Sequence, residues 1–263
     1  MRVAPDRAGG RVWPDLGVDR EIEIRAQSPS PFFLPEGISM KLYMHPVSMT
    51  SRPVRLFVAE NNIPMDEQVV DLMTGEHYGA DFTGINPSRQ VPVLEDGDFR
   101  LTESSAILKY LADKFNLPAY PKDLQKRAKV NEMMDWLNTG FYRDYGYGVA
   151  YPQIFPHHKR PTPEVQAATI AWGKERAANW LSVLDKHYIG PDNTYLCGND
   201  ITIADYLGIG LVTLGEIIKC DFTPYPNVQR WMANMKKLPN WDKVNEVFNG
   251  FASSVKDVPF EAL

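Results

Sequence analysis

Ser48, Thr50, Ser51 and Arg52 stand together between a short apolar run and a helical pattern. Hydroxyls at such a point sit where free backbone N–H groups and the helix dipole favour negative charge. A thiol bound there ionises more readily, because the thiolate is the stabilised form. The same cluster is what an ordinary N-cap requires, so spacing alone leaves both readings open. A second cluster is Asn86-Pro87-Ser88-Arg89-Gln90-Val91-Pro92-Val93-Leu94. Pro92 can open a strand, where a missing N–H is tolerated. A cis Val91–Pro92 bond would turn Val91 so that its N–H and C=O both face a peptide ligand, but only about 5–6% of X–Pro bonds are cis. The third cluster, Thr102-Glu103-Ser104-Ser105, opens a helix. Glu103 can accept from an ammonium, while Ser104 and its N–H can hold a carboxylate. A plain cap uses the same residue types. The fourth, Ile201-Thr202-Ile203-Ala204-Asp205-Tyr206, reads as structural: Thr202 and Asp205 cap each other's N–H, with Ile201 and Tyr206 as a hydrophobic staple.

These clusters need elements to hold them. Lys41–Met44 reads as a buried strand, Ser51–Asn61 as a helix and Glu67–Asp71 as a second strand. Val91–Glu95 and Phe99–Leu101 read as strands joined by Asp96-Gly97, a hairpin-turn signal. Glu103–Phe115 then follows a helical period. The order β-α-β, a connection, then β-β-α predicts an α/β domain of thioredoxin-like type with a mixed sheet, over residues 40–117. Strand signals stop after Pro121. Helices are expected from Asp123, over Pro163 to about Tyr188, and over Thr202–Lys219, Asn227–Lys237 and Asn240–Phe248, forming an all-helical domain over 123–250 with a tail over 251–263. Residues 1–39, rich in Pro, Gly and charge with no apolar period, read as a disordered extension.

Composition narrows the function. The net charge of −5, without a basic stripe, argues against a nucleic-acid binder. Two cysteines, Cys197 and Cys220, without Cys/His metal spacing, argue against a metal site and a disulfide framework. No apolar run approaches the roughly 20 residues that span a bilayer, so no membrane partner is expected and a cytoplasmic location is.

Taken in order, SxxSR after the first strand, GEH, NPxxxVPxL, TES before a helix and TIAD in the helical half, the motifs resemble those of the cytosolic glutathione transferases from Met40 to about Gly250. LYMHPVSMTSRPVRLFVAENNIP and DLMTGEHYGADF are most similar to the theta class, while SMTSRPVR is also similar to the zeta serine motif and GEH to nu-type relatives. The resemblance implies a thioredoxin-like domain followed by an all-helical one, and an enzyme that ionises the thiol of glutathione for attack on small hydrophobic electrophiles. Conjugation, dehalogenation, ether cleavage and peroxide reduction are the reactions it implies. It implies a serine at Ser48, with Ser51 and Thr50 as alternates, donating to the sulfur; a free thiol pKa of about 8.5 falls when its anion accepts such a bond. It implies the cis Val91–Pro92 bond, glutathione contacts at His77, Gln90, Val91, Pro92, Glu103 and Ser104, no metal, a homodimer and a role in detoxification. Gln90 stands where theta enzymes commonly carry lysine, and Thr139 where some carry a cross-subunit aspartate, so that last contact is not carried over.

The electrophile is expected over the sulfur, against Phe141, Tyr142, Tyr145, Tyr147, Tyr151 and Phe155, whose rings suit flat or apolar molecules. Tyr142, Arg143, Tyr145 and Tyr151 are the principal candidates, Arg143 as a stabiliser of developing negative charge. The rings also suit a core, and Arg143 an ordinary surface position. His157-His158, flanked by prolines, reads as a solvated loop. Two other activities fit the same pattern: a zeta-like isomerase that recycles glutathione, and a non-catalytic binding or scaffold domain. A thiol–disulfide oxidoreductase would need a cysteine between Met40 and Arg55, and none is present.

Overall fold

The computed structural model describes residues 40–263; the expected extension over residues 1–39 lies outside the described residues. Strand β1 (Met40–Met44) buries Met40, Leu42 and Met44 and turns the partly buried Lys41 and Tyr43 to the opposite face, the period-two pattern of a strand. It pairs in parallel with β2 (Asp66–Val69) and antiparallel with β3 (Val93–Asp96), which pairs antiparallel with β4 (Phe99–Thr102). The sheet order is therefore β2-β1-β3-β4, the expected mixed sheet. A parallel pair requires a crossover, and helix α1 (Ser51–Glu60) supplies it. Gly97, at φ 60°, makes the turn of the β3–β4 hairpin. Helix α3 (Ser104–Lys114) closes this half.

Two details differ from the sequence reading. β3 starts at Val93, two residues later than expected, because the Val91–Pro92 bond is cis and Pro92 has no N–H for the ladder. The connection before it contains a helix, α2 (Ala80–Ile85), whose one buried residue, Phe82, is too little for a recognisable helical period.

The second half is helical. α4 (Leu124–Trp136) starts with an Asp123 cap and α6 (Pro163–Val183) with a Thr162 cap. Between them the chain winds through two π-helical stretches, Leu137–Phe141 and Arg143–Ala150, and the short α5 (Tyr151–Ile154). α7 (Ile203–Val212), α8 (Leu214–Ile217), α9 (Pro226–Met235) and α10 (Trp241–Ser254) follow. The expected single helix over Thr202–Lys219 is split, because the Thr213 hydroxyl donates to the Ile209 carbonyl at 2.7 Å and competes with the helical ladder.

Every residue of α7 is buried, and α1, α3, α4 and α9 pack around it. A helix apolar on all sides must lie inside a core. Gly210 allows α1 to lie directly on it: a Cβ there would come within 2.5 Å of the Pro53 ring. The loop before α1 is thus fixed between the sheet and the helical core. Gly148 and Gly173 do the same for the π-helical stretch, since a Cβ at Gly173 would meet the Gly148 carbonyl at 2.6 Å.

Candidate active site

The loop between β1 and α1 holds the serine cluster. Ser48 N–H donates to the His45 carbonyl at 2.9 Å, and Arg52 N–H closes the first helical turn on the Ser48 carbonyl at 3.0 Å. The half-buried Ser48 Oγ accepts from the Ser51 N–H at 3.2 Å and lies 3.1 Å from Thr50 Oγ1. Thr50 has one hydroxyl proton, and it goes to the Val91 carbonyl at 3.0 Å. The Ser48–Thr50 bond is therefore donated by Ser48. This row of hydroxyls ties the α1 end to the cis Val91–Pro92 corner, both of whose residues are buried. Ser51, the first alternate, is fully buried and its Oγ accepts from the His45 N–H at 3.5 Å, so it faces β1 and not the loop surface.

Glu103 precedes α3 with φ 67° and ψ 112°, a conformation that favours glycine, and its side chain makes no cap. Such a backbone costs about 1–3 kcal/mol and persists where surrounding structure imposes it. Glu103 is exposed and Ser104 beneath it is buried. His77 lies in a single turn, Glu76–Tyr78, with its ring tilted against that of Tyr78 at 3.9 Å, and its buried Nδ1 has no hydrogen-bond partner. Burial and the nearby His157 lower its pKa, with Glu76 opposing. Gln90 is exposed and its carbonyl accepts from Asn86 Nδ2 at 2.8 Å. His45, behind the loop, has its pKa lowered to about 4, first by burial, with Arg55 and His77 adding and Asp71 opposing.

On the helical side the structure brings Tyr142 and Tyr151 together and leaves Tyr145 and Arg143 elsewhere. The Tyr142 and Tyr151 hydroxyls share a short hydrogen bond, and Tyr147 packs edge-on to both rings at 5.3 and 5.0 Å. In an ordinary α-helix, nine residues span two and a half turns and would set Tyr142 and Tyr151 on opposite faces. The wider π-helical winding of Arg143–Ala150 brings them to one face. Tyr145 points into the core, fully buried, stacked on Phe141 at 4.7 Å, with its hydroxyl on the Val212 carbonyl at 3.1 Å. Arg143 donates to Asp144 at 2.8 and 3.0 Å. Asp144 also accepts from Arg176 and Trp180; burial raises its pKa, but these donors overcome that and hold it at about 2. Phe155 and His158 pack on Tyr151 at 5.3 and 5.2 Å, so His158 joins the aromatic cluster where a solvated loop was expected.

Arg52 is the residue whose role the sequence hid. It is fully buried in α1, with Nε on Asn245 Oδ1 at 2.7 Å, Nη2 on Thr213 Oγ1 at 2.8 Å and its guanidinium 3.6 Å above the Phe248 ring. Among the described residues no carboxylate bonds it. Burial, with Arg55 adding and Glu216 and Tyr151 opposing, lowers its pKa to about 9. Among the described residues no group of three or more His, Cys, Asp or Glu is placed to hold a metal ion, and no helix is long and apolar enough to cross a membrane.

Comparison with known proteins now gives the family. Residues 38–113 match the glutathione S-transferase N-terminal domain and residues 148–239 the C-terminal domain. Glutathione S-transferase theta-1 of Mus musculus is 34% identical over 230 residues, covering 84% of this chain and 91% of that protein. The human theta-1 protein is 35% identical over 176 residues, 65% of this chain and 71% of that one. Human glutathione-S-transferase T1-1 in its apo form superposes with a TM-score of 0.70 at 30% identity, covering 85% and 93% of the two chains. A glutathione transferase homolog from Drosophila mojavensis, solved with bound glutathione, gives 0.72 at 28% identity, covering 86% and 100%. The chain belongs to the glutathione S-transferase family and is a glutathione transferase with a theta-like sequence.

Proposed function

We propose that glutathione binds across the N-termini of α1 and α3 with its sulfur beside the Ser48 hydroxyl, and that the resulting thiolate attacks a small apolar electrophile lying against Tyr142 and Tyr151. The observation that carries this reading is the direction of the hydroxyl row. Ser48 holds a donatable proton, and its present acceptor, Thr50, is neutral. A thiolate is the better acceptor, because hydrogen bonds to an ionised partner are roughly twice as strong as neutral ones. The helix end adds partial positive charge at the same place.

The rest of the peptide is assigned on the same reading. The Val91 N–H, beside the cis bond, serves the cysteinyl backbone. Its carbonyl keeps a second lone pair after accepting from Thr50. Glu103, exposed and uncommitted as a cap, takes the γ-glutamyl ammonium, and Ser104 its carboxylate. His77, and Gln90 as a neutral contact, serve the glycyl end. The halves divide as 40–117 for glutathione and 123–250 for the electrophile, and the resemblance implies a cytoplasmic homodimer.

The test is a thiolate absorbance titration of the glutathione complex in the native protein and in Ser48→Ala. The native complex titrates below the free thiol's pKa of about 8.5, and the variant moves back toward it. An identical titration in both removes Ser48 from the mechanism. Retention on immobilised glutathione without turnover of any electrophile would leave a binding domain.

A further inference from the structure

A fully buried arginine normally lies against a carboxylate, because an unpaired charge out of water is costly. Arg52 is 2% exposed, and its recorded partners are all neutral. Nε donates to Asn245 Oδ1 at 2.7 Å, Nη2 to Thr213 Oγ1 at 2.8 Å and Nη1 to Met49 Sδ at 3.3 Å, and the Phe248 ring faces the guanidinium at 3.6 Å. Burial lowers its pKa, yet to about 9, so it is charged at neutral pH. The other ions around it are already matched: Arg55 pairs with Glu67 at 2.9 Å, and Glu216 with Lys236. Tyr151, which also feels Arg52, is kept protonated by burial.

Both polar partners are fixed as acceptors. Asn245 Nδ2 donates to the Trp241 carbonyl at 2.8 Å, which turns Oδ1 toward Arg52. The one Thr213 hydroxyl proton goes to the Ile209 carbonyl at 2.7 Å, which leaves a lone pair for Nη2. The guanidinium is thus satisfied in hydrogen bonds and uncompensated in charge. It also sits close to the serine loop. The Arg52 N–H closes the first turn of α1 on the Ser48 carbonyl at 3.0 Å, and Met49, which Nη1 holds, follows Ser48 directly.

We propose, on the footing of the glutathione reading above, that the unpaired charge of Arg52 favours the ionised glutathione sulfur from behind the Ser48 loop, and that Asn245 and Thr213 hold this charge without cancelling it. Ser48 and the end of α1 offer the sulfur only dipoles; Arg52 adds a whole charge. Buried charges are screened far less than exposed ones, so its field persists across the loop. A carboxylate at position 245 would suit the fold better and the thiolate worse.

Asn245→Asp tests this, because it keeps the acceptor and its shape and adds the missing negative charge. By thiolate absorbance the glutathione complex of this variant titrates about 1 pKa unit above the native complex, the low end of what a nearby charge does. Its kcat/KM toward 4-nitrobenzyl chloride falls about tenfold at pH 6 and recovers in alkali, where the thiolate forms unaided. Asn245→Ala, which removes the acceptor and adds no charge, moves the titration less. A native titration in Asn245→Asp, or a loss of kcat/KM that is equal at every pH, overturns the proposal and leaves Arg52 a purely structural residue. If Asn245→Asp melts early, Arg52→Lys and Arg52→Gln decide: lysine keeps the low titration and glutamine loses it, and equal titrations overturn the proposal. The native complex separates the two readings. If it titrates at the free thiol's value of about 8.5, the glutathione reading falls and this one with it; if it titrates lower and Asn245→Asp leaves it there, only the role of Arg52 falls.

Discussion

Two helix beginnings in this chain use similar residues to opposite ends. At α7, a Thr and an Asp form a reciprocal box. Asp205 Oδ2 accepts from the Thr202 N–H and hydroxyl at 2.8 and 2.9 Å, and Oδ1 from the Leu196 N–H and the Trp231 indole at 2.8 and 3.0 Å. The carboxylate is fully buried, and every oxygen is occupied. At α1 and α3 the caps are incomplete: Thr50 and Glu103 make no side-chain cap, Glu103 sits at positive φ, and the Ser48 hydroxyl has a proton that a better acceptor can claim. A closed end gives stability and offers nothing to a ligand. An open end leaves donors in place for one, at a local cost in free energy that the closed ends and the core offset.

The sharpest way to break this contrast is at Asp205. Asp205→Ala leaves four buried donors without acceptors, and each buried donor left unsatisfied costs about 1–3 kcal/mol. Denaturant unfolding measures that loss, while the molecules that remain folded keep their affinity for immobilised glutathione. A loss under about 1 kcal/mol would mean that α7 is held by its apolar packing alone.

His45 gives the next largest effect, and it concerns pH. Its N–H and carbonyl hold Ser51 and Ser48, and its Nδ1 accepts from the Val47 N–H at 3.3 Å, so it must stay neutral. The folded pKa, about 4, lies below the ordinary 6.5. The unfolded chain therefore binds the proton first, and stability falls as pH drops from 6.5 to 4, by about 3 kcal/mol if the whole shift is realised. His45→Asn, which keeps an acceptor near the Nδ1 position, flattens the slope of unfolding free energy across that window. An unchanged slope assigns it to His77, His157 and His158, whose pKa values are lowered too.

Ser48→Ala tests the open end itself. On the proposed reading, kcat/KM falls about a hundredfold, or about 2.7 kcal/mol of transition-state stabilisation, the scale set by loss of one aimed donor. Folding stability falls by only about 1 kcal/mol, the cost of losing one capping acceptor for the Ser51 N–H. If stability falls more than activity, Ser48 is a cap like Thr202 and the contrast dissolves.

The closed end was easier to read from sequence than the open one. Thr202 and Asp205 act over three residues of one helix, and the strands, the Asp96-Gly97 turn and the longer helices likewise follow from local periods. The serine cluster was legible as residue types, but its orientation depends on Thr50 reaching Val91, 41 residues away. In the sequence Arg52 is one letter of a motif, because its burial is a property of Thr213 and α10 closing over it. Tyr145 was grouped with Tyr142 and Tyr151 because nothing in the residues announces a π-helical winding, and that winding decides which rings share a face. Arg143 carried no sign that Asp144, its neighbour, would hold it.

Glu103 offers the smallest effect and the most direct comparison of the two ends. At φ 67° its backbone is strained, and glycine adopts that angle without a Cβ penalty. Against this, glycine loses more chain entropy on folding, roughly 0.5–1 kcal/mol. With strain at about 1–3 kcal/mol, Glu103→Gly comes out more stable than the native protein by about 1 kcal/mol in thermal or denaturant unfolding. On the proposed reading its retention on glutathione falls, because the γ-glutamyl ammonium would lose its acceptor. Thr202→Gly, at the extended φ of −127°, gains no such relief and loses the hydroxyl bond to Asp205, so it destabilises. Opposite signs at two equivalent helix positions are what an open and a closed end require. If Glu103→Gly also destabilises, the side chain is serving the fold, and the strain at α3 has some origin other than a ligand.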